Sequence, residues 1–267
     1  MIKNKNSIFY WKRYFPFAAI AAFCILFAGT ATSQESKEKN DFQFIFEPYL
    51  MFSSISGDAS VGRATGVSVD LDTSDILENL DFGMMFHMEG IYKNWGLVFD
   101  YGLMDLKQDI TGPINGIISA GVRQQVIELF VFRRIPIKDG KIDILAGGRS
   151  WDNKISLTLD PAWWPGSASA QQQDDWIDPF LGARAYFDLA EDWTFFVRGD
   201  IGGFGIASDF TALGNLGILY NITKTIILDI QYKALWVDYE SGTKNTPGYF
   251  AYDTVTHGPI IGLIFQF

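Results

Sequence analysis

The chain has 267 residues, of which 21 are basic and 31 acidic, a net charge of −10. Nucleic acid is therefore not an expected partner, because phosphate binding needs a basic surface. Aromatic residues make up 16% of the chain and charged residues 19%, which is too polar for a bundle of membrane helices and too aromatic for an ordinary soluble domain. No internal apolar run reaches the roughly 18 to 20 residues that a spanning helix needs.

Residues 1–33 predict a signal for export. An apolar run over Phe15–Phe27 is followed by small residues, and cleavage after Ala31 or Ser33 fits this pattern. The run is preceded by four basic residues, Lys3, Lys5, Lys12 and Arg13. The alternative is an uncleaved anchor helix, but the run is short and the polar stretch 34–39 follows it.

Removal of this segment would change the chemistry of the mature chain. It would leave 17 basic and 31 acidic residues, a net charge of about −14. The single cysteine, Cys24, would be lost as well, so the mature chain could form no disulfide and would offer no thiol chemistry.

Residues 34–41 are polar and predict a short periplasmic lead. From Phe42 to Phe52, apolar residues fall on every second position, and Glu47 lies on the opposite face, as in a strand with one lipid-facing side. The same period predicts about ten strands, at 42–52, 82–92, 95–108, 122–135, 140–154, 176–189, 193–207, 209–221, 225–240 and 256–267. Eight or twelve strands stay open, because 63–75 contains a further alternation, and 74–79 predicts a capped helical turn.

The connections between these strands alternate in length. Tight turns are predicted at 92–95, 136–140, 190–192 and 222–224, and long loops at 56–81, 109–121, 155–175 and 241–255. Short turns on one side and long loops on the other are typical of outer-membrane barrels, and an even strand count brings both termini to the periplasm. The connection 207–209 is short on the outer side and breaks the pattern.

Tryptophans lie near both ends of the predicted strands. Trp95 and Trp193 adjoin short turns, while Trp151, Trp176 and Trp236 lie near the outer strand ends, which predicts two aromatic girdles at the membrane surfaces. The alternative is a soluble β-sandwich with core aromatics, but a sandwich requires neither an export signal nor the loop asymmetry.

The last segment, 256–267, has one wholly apolar face and ends on Phe267. It resembles the closing strand of Gram-negative outer-membrane β-barrels, whose chains typically finish on Phe. The stretches 178–184, 198–205 and 257–259 are similar to those of porin-like and OmpA-like barrels. The resemblance implies an all-β fold, a closed antiparallel transmembrane β-barrel over 42–267. It also implies contact with outer-membrane lipid and lipopolysaccharide and recognition of the last strand by the barrel-assembly machinery, but no cofactor or substrate.

Charged residues within the strands fall mostly on the inward face. An unpaired buried charge is very costly, so these side chains must pair or meet water. Two interpretations stay open: an ion-paired plug that fills the lumen, or a narrow polar channel or gate. The residues are Glu47, His87, Glu89, Asp100, Glu128, Asp143, Arg149, Arg184, Arg198, Asp200, Asp229 and Lys233.

Catalysis is not predicted. The chain has two histidines: His87 lies near Glu89 and Asp100, and His257 lies where Asp238 could approach it. Neither matches the paired acidic motifs of omptin-like proteases or the His-Ser pattern of lipid A deacylases. Two distant histidines also lack the spacing of a metal site.

The long loop 155–175 holds Trp163 and Trp164 between two prolines. Paired tryptophans can anchor a surface ligand or partner, since Trp dominates interface hot spots. The alternative is that both rings dip into the lipid headgroups as part of the outer girdle.

Overall fold

The structure is a computed structural model that describes the backbone of residues 41–111, 117–160 and 168–267. It describes the side chains of residues 41–63, 65–107, 121–156 and 171–267. The predicted export signal, the lead up to residue 40, and the pair Trp163 and Trp164 lie outside the described residues.

The chain forms twelve strands and one short helix. Their bounds are β1 Phe42–Met51, β2 Ser54–Val61, β3 Ala64–Leu71, α1 Thr73–Glu78, β4 Leu80–Tyr92, β5 Trp95–Thr111, β6 Ile117–Ile137, β7 Gly140–Asp160, β8 Ala168–Ala190, β9 Trp193–Gly202, β10 Phe210–Asn221, β11 Ile226–Ser241 and β12 Phe250–Gln266. Among the described residues, no helix has the length and apolar character needed to traverse a bilayer.

Ten of the strands close into an antiparallel barrel, which confirms the predicted fold class and the count of about ten. The wall runs from β1 to β4 and on through β12, and β12 returns to β1. The other two strands form a hairpin in which β2 pairs with the first half of β12, and β3 pairs with β2. Its strand β3 lies within 63–75, the further alternation because of which a count of twelve strands had stayed open.

The two-residue period places polar side chains inside the barrel and apolar ones outside. Arg149 and Asp143 on β7 are fully buried, whereas Ile144 between them is 52% exposed on the outer surface. Leu129 on β6 and Ile177 on β8 are likewise exposed. Such an apolar outer belt suits a barrel surrounded by lipid.

The two ends of the barrel differ. Asp41, the first described residue, and the C-terminal Phe267 lie at one end of the barrel with the tight connections. At this end, here called the turn end, Lys93 N donates to Asp41 O and Phe267 N donates to Phe44 O. At the opposite end, the loop end, β6 and β7 reach 21 residues and β8 reaches 23. A tilted strand crosses a membrane in about 9–11 residues, so these three strands extend well beyond it.

Several predicted loop boundaries were wrong. The structure continues β6, β7, β8 and β12 into the predicted loops 109–121, 155–175 and 241–255, because a strand paired on both sides has no reason to stop at the membrane surface. Strand β9 is shorter than predicted: it ends at Gly202 and not at residue 207. The next three residues, Gly203, Phe204 and Gly205, have positive φ angles, which a strand does not accommodate.

Helix α1 lies where a capped turn was predicted and begins one residue earlier, at Thr73. Asp72 is the N-cap: its side chain accepts from Asp75 N, and the Asp75 side chain accepts from Asp72 N. The Ser74 hydroxyl and then the Asp75 amide donate to the Asp72 carboxylate and lower its pKa. Ile76 of the helix is buried against the inside of the wall.

One part of the predicted outer girdle was wrong. Trp151 and Trp176 are 1% and 6% exposed and point into the lumen, because each is an even number of residues from an inward charge, Arg149 and Arg184 respectively. Trp236 lies on the outer surface with 48% of its area exposed.

Candidate functional site

The middle of the lumen contains a group of four charged side chains that pair with one another. Arg149 Nε donates to Glu128 Oε1 and its Nη2 to Asp200 Oδ1, both at 2.8 Å. Arg198 Nη2 bonds the other oxygens of the same two carboxylates, Glu128 Oε2 at 2.8 Å and Asp200 Oδ2 at 2.7 Å. All four side chains are buried, and their formal charges cancel.

A second group crosses the lumen next to the first. Arg184 on β8 bonds both oxygens of Glu89 on β4 and donates from Nε to Asp143 Oδ2 at 2.9 Å. Arg134 holds Asp143 by two further bonds of 2.9 Å. Arg134 was not among the residues predicted to face inward, although its even spacing from Glu128 on β6 indicates that position. These two groups together are called the ion-pair layer.

His87 lies between two carboxylates at the edge of this layer. Its Nδ1 is 3.0 Å from Asp100 Oδ2 and its Nε2 is 2.9 Å from Glu89 Oε1. The Tyr49 hydroxyl donates to the other Asp100 oxygen at 3.0 Å. An imidazole with a carboxylate on each nitrogen holds both protons most favourably, so His87 serves Asp100 as a counter-ion.

Three of the charges predicted to face the lumen, Glu47, Asp229 and Lys233, form no ion pair with the side chains that the structure describes. The carboxyls of Glu47 and Asp229 lie against each other, an arrangement that is favourable when the pair holds one proton. Asp229 Oδ1 is buried and makes no hydrogen bond to any described residue. Lys233 makes no such contact with a carboxylate, in contrast to Arg149, Arg184 and Arg198.

Aromatic rings fill the loop end of the lumen. Trp176 on β8 and Tyr239 on β11 stack at 3.7 Å between ring centroids, although two strands separate β8 from β11 in the wall. Trp151, Phe250 and Tyr252 pack into the same buried cluster, with apolar residues around them. These five residues form the outer aromatic layer, which lies on the loop-end side of the ion-pair layer.

Asp178 anchors the outer aromatic layer, and sequence reasoning missed it although its even spacing from Arg184 placed it inside. The fully buried carboxylate accepts hydrogen bonds from the indole nitrogens of Trp151 and Trp176 at 3.1 and 3.0 Å. It also accepts from Ser208 N at 2.8 Å and Ser208 Oγ at 2.7 Å. Four neutral donors thus stabilise one charge and fix the short connection between β9 and β10 to the two indoles.

Two cavities lie on the turn-end side of the aromatic layer. The larger, about 310 Å³, reaches from the ion-pair layer to the turn end and is lined by residues such as Glu47, Asp229 and Gln266. The smaller, about 60 Å³, lies beside β1, β4 and β5. The linings of the two cavities have three residues in common, Tyr49, Asp100 and Lys233.

Neither histidine is part of a nucleophile and base arrangement among the described residues. His257 Nδ1 is 2.8 Å from the Tyr232 hydroxyl at an exposed site. The predicted approach of Asp238 was wrong, because Asp238 pairs with Asp253, four residues from His257. Within the described ranges no group of three or more His, Cys, Asp or Glu side chains has the geometry to hold a metal ion.

Comparison with known proteins gives similarity of fold only. No family model matches the chain, and no curated protein matches it. Among solved structures, the outer membrane protease OmpT from Escherichia coli aligns with a TM-score of 0.54 at 9% identity, over 88% of this chain and all of that one. The NalP translocator domain from Neisseria meningitidis aligns at 0.40 and 8% identity, over 96% and 98% of the two chains. Ail of Yersinia pestis aligns at 0.34 and 10% identity, over 85% and 99%. The fold is that of the outer-membrane β-barrels.

Proposed function

We propose that the protein is an integral outer-membrane barrel whose aqueous lumen is closed, so that it acts as a structural element and not as a diffusion pore. The observation that carries this proposal is the Arg149 group, in which both arginines and both carboxylates are buried. The two arginines and the two carboxylates neutralise each other and occupy the lumen at that depth. A ten-stranded barrel is also little wider than the eight-stranded type that its own side chains fill.

The outer aromatic layer supports the same proposal by a second means. Its stacked rings exclude water at the loop end, so an ion would have to cross an apolar section after leaving the ion-pair layer. Disrupting only one of the two layers should therefore not open a large pore. The conductance of single variants is expected to be small and variable.

Single-channel recording in planar bilayers tests the closure. The intact protein should show no steady conductance, whereas Arg184→Ala and Arg198→Ala should each admit water and give brief openings, because each removes one of the two cations that its buried carboxylates contact. Arg133→Ala is the matched control, since Arg133 lies outside the lumen beside Trp95. A large and steady conductance of the intact barrel would instead identify a diffusion pore.

A second candidate function is binding at the cell surface, and the length of the loop-end wall favours it. The strands β6, β7 and β8 continue roughly ten residues past the membrane, which is more wall than closure of the lumen requires. If this extension is a binding surface, replacing Trp163 and Trp164 by Ser should weaken capture of the protein on host or bacterial surfaces and leave heat-modifiable mobility unchanged. Impaired folding or insertion would identify them as girdle residues.

Export and assembly follow from the same proposal. The chain would lose residues 1–33 at cleavage, place its turn end in the periplasm, and present the last strand with Phe267 to the barrel-assembly machinery. Mass spectrometry of the mature protein would test the cleavage, and deletion of Phe267 would test the assembly step by the yield of folded barrel in the outer membrane. Recovery as a soluble periplasmic monomer would contradict the location itself.

A further inference from the structure

The barrel wall is interrupted on one side. Hydrogen-bonded pairing between β1 and β4 ends at Pro48 and Phe86. Beyond this point β4 continues to Leu80 but pairs only with β5, and β1 continues to Met51 but pairs only with β12. The hairpin β2–β3 pairs with β12 through β2, and Ile55 of β2 packs beside Met104 of β5. Among the described residues β3 pairs only with β2, so no strand pairs with the free edge of β4. This gap is called the seam.

The seam lies at membrane depth. The β4 margin of the seam runs from Met85 to Phe82. These residues lie 7 to 10 positions along the strand from Tyr92, which precedes the tight turn. A strand crosses the bilayer in about 9–11 residues, which places this margin in the half of the membrane nearer the loop end. Phe82 and Leu80 there are 43% and 40% exposed on the outer surface.

Helix α1 bounds the seam at its loop end. Thr73 at the start of the helix donates to Phe52 O, between β1 and β2, at 3.2 Å. At the other side, Lys107 N on β5 donates to Asn79 O, directly after the helix, at 2.9 Å. The helix thus bridges the two margins of the seam.

A cavity lies behind the seam. Unpaired backbone at membrane depth is tolerated only where it is buried in protein or lines a cavity, and the cavity of about 60 Å³ is lined from both margins, by Met51 on β1 and by Met85 on β4. Met104 and Leu235 extend this apolar lining. Methionine side chains are flexible and polarisable, so they adapt to alkyl chains of varied shape.

The inner end of this cavity is polar and cationic. Lys233 lines it and also lines the larger cavity of about 310 Å³, which continues to the turn end. The nearby carboxylate of Asp100 already has His87 as its counter-ion, at 3.0 Å. Glu128 is also near Lys233, but its two carboxylate oxygens already bond Arg149 and Arg198. The Lys233 ammonium thus forms no ion pair with the described carboxylates and can bind an anion that arrives from either side.

From this juxtaposition we infer that the seam is a lateral binding site for a single-chain amphiphile with an anionic head group. The alkyl chain enters from the membrane between Met51 and Met85, and the head group binds the Lys233 ammonium. The head group then lies at the boundary of the two cavities, where the Tyr49–Asp100 hydrogen bond separates the apolar site from the turn-end cavity. The site opens to lipid and does not require an aqueous pore.

Binding of oleate, compared with its uncharged methyl ester, tests the site in purified full-length barrel. Native mass spectrometry after release from detergent counts bound ligand and separates it from bulk amphiphile. The intact protein should bind one oleate at least tenfold more tightly than methyl oleate, since a charge-assisted hydrogen bond contributes that much. Lys233→Met should remove this preference and leave the affinity for methyl oleate unchanged. Lys224→Met, in an exposed turn, is the matched control.

Filling the cavity provides the second arm. Met85→Trp should abolish binding of both ligands while the variant keeps its heat-modifiable mobility. Equal affinity for oleate in the intact protein and Lys233→Met, or unchanged binding in a folded Met85→Trp variant, would overturn the inference. So would a stable dimer joined through the β4 margin, because a second copy would then occupy the seam.

Discussion

Replacing Arg149 by Met should destabilise the barrel strongly. The side chain is fully buried, and its two bonds of 2.8 Å hold Glu128 and Asp200. Without it, two buried carboxylates share the single guanidinium of Arg198. Breaking a buried pair by removing one partner costs about 3–5 kcal/mol, and the loss of two charge-assisted bonds at about 1.5–3 kcal/mol each gives a similar figure.

Equilibrium urea unfolding in lipid vesicles measures this loss. Arg133→Met, which removes an equally charged side chain from the outer surface, should change the free energy of unfolding by less than about 1 kcal/mol. The double variant Arg149→Met with Glu128→Gln leaves one cation, Arg198, and one carboxylate, Asp200, in the group. Its free energy of unfolding should exceed that of Arg149→Met by more than about 1 kcal/mol. A single variant as stable as the control, or a double variant less stable than the single, would refute the reasoning.

Three further predictions concern the remaining parts of the fold. Asp178→Ala should leave two indoles without an acceptor, and their fluorescence should shift to longer wavelength as water enters; an unchanged spectrum would show that the stacking alone holds them. Gly258→Ala should lower the urea midpoint, because the new Cβ would collide with the Phe52 carbonyl oxygen where β12 changes partner; an unchanged midpoint would mean that this backbone can move. Asp72 has a pKa below its ordinary value of 3.8, so its capping contribution is present above that pH and is lost as the pH falls through the folded pKa. Amide exchange of α1 should therefore gain an extra acceleration below pH 3.8 that Asp72→Ala lacks.

The class of fold and the side of the wall on which a residue lies follow from the sequence, for a simple reason. The side-chain period of a strand is two, so one assigned residue fixes the orientation of the rest, as Glu47 does on β1. The error at Trp151 arose where position along the strand was weighed above this parity. A tryptophan two residues from Arg149 shares its face, whatever its distance from the membrane surface.

The choice of partners inside the lumen does not follow from the sequence. Glu128 and Arg149 face each other across adjacent strands, but Arg184 reaches Glu89 from four strands away. That contact depends on the curvature and stagger of the closed wall, which no local pattern encodes. The seam is equally hidden, because the alternation in β4 continues unchanged past the residue where its pairing with β1 ends.

The contact between Arg184 and Glu89 has a consequence for how the chain folds. The two residues are 95 positions apart and lie on separate parts of the wall, so an open sheet cannot join them. Until the sheet curls, each charge needs water, and a flat sheet lying in lipid would expose both to hydrocarbon. The charged face therefore favours a route in which curling and insertion proceed together. Neutralising both residues should relax this coupling and allow partly open sheets to accumulate in the bilayer.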